Sequence, residues 1–155
     1  NTESADFPLI RLAEVYLIYA EATCELNNGE ISDEDLNFSI NHTRARAGVA
    51  PLTNALIANV WDAGYWDHAQ GKTVCKKMNM LDEIRRERAC ELFGEGFRMD
   101  DLKRWGMLDT QEGINELKSR DVDFNNFVIG KHRRLPIPQY EIDQSDGQLT
   151  QNPMY

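Results

Sequence analysis

At 155 residues, with 41% hydrophobic and 9% aromatic content, the chain has enough apolar material for one folded globular domain, which excludes a disordered segment. Its formal net charge of -9, with Lys and Arg interleaved among Glu and Asp, excludes a nucleic-acid surface. No apolar run approaches the roughly 20 residues that span a bilayer, since the longest, around Val15 to Ala22, is interrupted by Glu21 and preceded by Glu14.

The sequence opens at Asn1 without a Met or a leader, in what reads as the middle of a loop, so a fragment of something longer is expected. From Leu9 to Leu26 the apolar residues Leu9, Leu12, Tyr16, Tyr19 and Thr23 follow the three-and-four spacing of one helix face, and Ala13, Ala20 and Ala22 allow a neighbouring helix to approach. Asn27, Asn28 and Gly29 end that helix. Ser32 followed by Asp33, Glu34 and Asp35 reads as an N-cap with acids in the first turn. The spacing predicts a second helix from there to Ala47, with Leu36, Ile40, Thr43 and Ala47 inward and Gly48 closing it before Pro51. This 9–48 helix pair resembles a tetratricopeptide unit, and one such pair cannot bury its own apolar faces, so it must stack on other helices.

Residues 49–79 lose helical periodicity after Ile57 and read as a short helix from about Asn54 followed by a loop. Trp61, Tyr65 and Trp66 lie there with Asp62, Asp67 and His68 in a Gly-bearing stretch. Sugars offer C–H faces to aromatic rings and hydroxyls to Asp, Asn and His, so Trp61, Tyr65, Trp66 and Asp67 are the candidate ligand-binding residues. The more ordinary use of such rings, as a cover over the outside of the core, stands beside that reading.

Residues 80–106 form the central charged segment, expected to be one continuous helical stretch punctuated by Gly94 and Gly96. Glu83, Glu87, Glu91 and Glu95 recur every four residues and would stack along one helix face, which is unfavourable unless cations neutralise them. Arg85, Arg86, Arg88, Arg98, Lys103 and Arg104 are the nearby cations, so a folded-back set of Arg–carboxylate pairs is expected. A glycosidase pair of carboxylates could be drawn from Glu87, Glu91, Glu95 and Asp101, but acids held by arginines stay ionised and cannot serve as a general acid. Glu87, Arg88, Glu91, Glu95, Arg98, Asp101, Arg104 and Trp105 are therefore read as a structural network, with Trp105 plugging the core where the helix ends, and no catalytic residue is assigned.

Residues 107–155 read as short helices, one over Leu108–Lys118, and an ordered irregular tail anchored by Leu135, Ile137, Ile142 and Leu149 between prolines, with Phe124 and Phe127 tucked onto the core. Lys131, His132, Arg133 and Arg134 read as a solvated strand end. His42, His68 and His132 are scattered, and Asp121, Asp123, Asn125 and Asn126 lack the Gly and terminal Glu of a calcium loop, so no metal and no cofactor is assigned. The three cysteines are widely spaced with no Cys-x-x-Cys pair. Cys24 and Cys90, among apolar neighbours in helical patterns, are expected to be buried free thiols.

The stretch ERACELFGEGFRMDDLKRWG, from Glu87 to Gly106, resembles the signature of the SusD/RagB-like outer-membrane nutrient-binding lipoproteins, matching at Glu87, Arg88, Glu91, Leu92, Glu95, Gly96, Arg98, Asp101, Leu102, Arg104 and Trp105. RLAEVYLIYAEA from Arg11, TRARAG from Thr43, LPIPQYEID from Leu135 and LTQNPMY from Leu149 match the rest in family order. The resemblance implies a mainly α fold with tetratricopeptide-like pairs, of which this chain is the C-terminal portion. It also implies a lipid anchor on an upstream cysteine and a lid-like position over a TonB-dependent transporter at the surface of Bacteroidetes-type bacteria. The implied function is non-catalytic capture of oligosaccharides, or in some members peptides. A tetratricopeptide-type interaction scaffold and a glycoside hydrolase are the alternatives from other classes.

Overall fold

The computed structural model describes residues 10–60, 64–67, 70–75, 77–120 and 126–155, and over these the chain is mainly helical. Two compact units are formed, one from residues 1–63 with 75–97, the other from 64–74 with 98–155. No helix among the described residues is long and apolar enough to cross a membrane.

In the first unit, α1 (Leu12–Leu26) runs until Asn27 and is closed by Asn28 and Gly29, both at positive φ, with the Gly29 amide donating to the Cys24 carbonyl at 2.7 Å. Its buried face is Leu17, Ala20, Glu21 and Cys24. Leu12 and Tyr19, expected inward, are exposed. Leu17 and the small side chains Ala20 and Cys24 make the face, the small ones letting α1 lie close against the helices that follow.

The expected second helix is two: α2 (Asp33–Phe38) and α3 (Ile40–Arg46). Ser32 caps α2, its hydroxyl oxygen accepting from the Asp35 amide at 3.0 Å. The break falls at Ser39 (φ -122, ψ -100), where the Ser39 hydroxyl donates to the Asp35 carbonyl and the backbone amide turns to Leu36 instead. Leu36, Ile40 and Thr43 are buried as the periodicity requires, while Ala47 is exposed. Gly48 at φ +69 ends α3, and the Val49 amide returns to the Arg44 carbonyl. The buried Asn41 amide then fixes the following chain by exchanging two bonds with the Leu52 backbone, 3.0 and 2.7 Å. A short α4 (Asn54–Ile57), capped by Thr53, begins where expected.

The central segment is interrupted: α5 (Met80–Glu91) is capped by Asn79, ends at Leu92, and passes through Gly94 and Gly96, both at positive φ, before α6 (Arg98–Arg104). Helices α1, α3 and α5 pack together over a core of Leu17, Ala20, Cys24, Leu36, Ile40 and Ile84. Cys24 is in this core, but Cys90 is exposed, contrary to expectation, because α5 turns its Glu83, Ile84 and Arg88 face inward.

In the second unit, part of the expected loop is an antiparallel hairpin of β1 (Tyr65–Asp67) and β2 (Lys72–Val74), with Trp66 opposite Thr73. α7 (Gln111–Arg120) packs on β1, and Leu102, Leu108, Ile114 and Leu117 form the core with Phe127 against them. The expected anchors Leu135 and Leu149 are exposed. Polar side chains hold the tail instead. The Gln151 amide accepts from the Ile137 N–H and donates to the Ile137 carbonyl, and the Tyr155 hydroxyl donates to Arg134 O, on either side of α8 (Gln139–Gln144). The basic run is a turn whose Lys131 lies over the Tyr155 ring and whose Arg133 pairs with Asp109 at 2.6 Å. Phe124, Asp121, Asp123 and Asn125 lie outside the described residues.

Candidate functional site

The acid ladder meets its cations across the first unit. Arg44, 4% exposed, reaches Glu87 at 2.6 Å and Glu83 at 3.4 Å, and donates from Nε to the Ala50 carbonyl at 2.7 Å. Arg86 adds a two-point contact on Glu83. Arg46 grips both oxygens of Glu91 at 2.7 Å. Arg11, in the extended residue before α1, donates to the Glu91 side chain and carbonyl and to both Glu95 oxygens, the shortest at 2.6 Å. That contact with Glu95 raises the Arg11 pKa above its ordinary value. Arg85 joins α5 to Glu25 of α1 at 2.8 Å.

These geometries redistribute the expected network. Arg86 meets Glu83 as expected, and Arg44, Arg46 and Arg11, which the sequence reading did not name among the cations, also hold Glu87, Glu91 and Glu95. Arg88 is buried with its guanidinium 5.4 Å from the Phe97 ring centre. Arg104 pairs with the buried Asp101 of its own helix at 2.8 Å, and Arg98 and Arg104 lie 5.5 and 5.1 Å from the Trp105 ring centre. Trp105 is half-buried. The signal for the missed arginines was the ladder itself, since four acids need more cations than their own helix can turn toward them, and Arg44 and Arg46 had no acid on their own helix.

Among the four predicted ligand residues, Trp61 lies outside the described residues, as do Asp62 and His68, and Tyr65 is placed in β1 by its backbone. Trp66 is 50% exposed. Asp67 is buried: its carboxylate accepts from the Gln70 amide N–H at 3.1 Å and from the Gln70 side chain at 2.9 Å, while its carbonyl accepts from Gly71 at φ +61. The carboxylate thus ties the turn, and the Trp66 indole is half-exposed on the strand that leads into it. No group of three or more His, Cys, Asp or Glu among the described residues is arranged to hold a metal. Chemically, a half-exposed indole on a tied hairpin can stack on an apolar or C–H face.

Comparison with protein families matches the SusD family over residues 1–155. No curated protein and no solved structure matches the chain.

Proposed function

This chain belongs to the SusD family, and on that premise we propose that it is a non-catalytic, cell-surface binding protein that captures oligosaccharides and passes them to a SusC-like, TonB-dependent transporter. The family is one of nutrient-binding outer-membrane lipoproteins, not of enzymes, and attachment would come from an upstream lipid anchor. The observation that carries the ligand assignment is the exposed Trp66, held on a hairpin whose turn is tied by the buried Asp67. An indole in that position offers a flat face to a pyranose ring. Asp67 keeps the turn that carries this indole in shape.

The test is calorimetry on the full-length protein with neutral trisaccharides. Trp66→Ala is expected to weaken binding about tenfold, corresponding to roughly one stacking contact, with the melting temperature unchanged. Unaltered affinity would remove the hairpin from the site. Binding of peptides, and not saccharides, through the same indole would change the ligand class and leave the site.

A further inference from the structure

The turn between α1 and α2 holds a second candidate, built wholly within the first unit. After Leu26 the chain reverses through Asn27, Asn28 and Gly29, and Ile31 drops into the core. Asn54 then secures the next residues, donating from its side chain to the Ile31 carbonyl at 2.9 Å and to Asp33 at 2.8 Å. Beside these residues lies a depression of about 740 Å³, open to solvent and lined among others by Leu26, Asn27, Asn28, Glu30, Asp35 and Asn54. That volume falls within the range of small-molecule sites, roughly 300 to 1,000 Å³.

The lining divides by commitment. Asp35 is engaged at both oxygens, accepting from the Tyr19 hydroxyl at 2.7 Å and the Ser32 hydroxyl at 2.6 Å. Those hydroxyls, Ser32 first, hold its carboxyl below the ordinary carboxylate range, so it is an anion at neutral pH. The side chains of Asn27, Asn28 and Glu30, by contrast, have no hydrogen-bond partner among the described residues. Leu26 beside them is 82% exposed. No Lys, Arg or His is among the described residues lining the cavity.

We propose that this pocket is a saccharide subsite for a neutral, hydroxyl-rich ligand. Each amide can donate to one hydroxyl and accept from its neighbour, Glu30 can accept from two, and Leu26 can cover a C–H face. A sulfated or uronic-acid sugar would face Glu30 and Asp35 with no cation to compensate, so the pocket selects against anionic glycans. The inference rests on the family reading for the class of ligand and adds a place and a charge preference to it.

Hydrogen–deuterium exchange on the full-length protein tests it, with gluco-, manno- and xylotriose as neutral probes and trigalacturonic acid as the anionic one. At least one neutral probe is expected to protect the segment 26–32, and trigalacturonic acid is not. The exposed pair Asn27→Ala with Glu30→Ala should weaken that protection about tenfold, the loss of two hydrogen bonds. If neutral probes protect only the hairpin, the pocket is wrong and the family reading stands; if none binds anywhere, both fall. Equal protection by trigalacturonic acid would overturn the charge preference.

Discussion

Cys24 and Cys90 both sit in apolar helical patterns, yet only Cys24 is buried, and burial raises its thiol pKa above the ordinary value. The difference lies in what each helix turns inward. α1 buries small residues, whereas α5 buries Glu83 and Arg88 because their partners are there, which rotates Cys90 to the surface. A pattern of apolar residues cannot report a buried charge whose partner is distant in sequence, and that is why this thiol was misplaced. Alkylation of the native protein is expected to modify Cys75 and Cys90 and spare Cys24, with all three reacting after denaturation. Mass spectrometry reads this directly, and native labelling of Cys24 would contradict the packing described for α1.

At the scale of elements, caps and terminators were legible and interruptions were not. Ser32, Gly48 and the Asn28–Gly29 turn all act where their chemistry predicts. The break at Ser39 depends on a hydroxyl replacing an amide as partner of one carbonyl, and a serine in mid-helix does this in some settings only. The hairpin at 65–74 escaped because its strands are three residues each and it packs on α7, far along the chain. Gly113 in α7 shows how the setting reverses a propensity. A glycine inside a helix normally gains about 1 kcal/mol on replacement by alanine. Here an added Cβ would lie 2.3 Å from the Met107 carbonyl oxygen and 3.0 Å from its carbon, backbone atoms that cannot swing away. Gly113→Ala should therefore destabilise the protein by about 1–3 kcal/mol, the range for overpacking. Urea unfolding measures it, and a more stable variant would show that α7 stands further from Met107.

Over the whole molecule, the ion pairs do for the first unit what the exposed side of α1 cannot. Leu12, Val15 and Ile18 contribute nothing to its core, and the contacts that join α1, α3 and α5 include pairs separated by 39 to 84 residues in sequence. Such separations explain why the acids could be read from the sequence and their partners could not. Arg44 is the most buried of these cations, tied at once to Ala50, Glu83 and Glu87. Removing it would strand Glu83, itself 2% exposed, with Arg86 as its described partner. Arg44→Ala should cost about 3 kcal/mol, the lower end for breaking a buried pair. Arg44→Lys should recover little, because one ammonium cannot serve the carbonyl and both carboxylates from the same positions. Since each unit has its own core, the loss should appear as faster hydrogen exchange in α1, α3 and α5 with α7 unchanged. Equal acceleration in α7 would mean that the two cores open as one, and full rescue by lysine would mean that charge alone, without the guanidinium fork, holds α3 to α5.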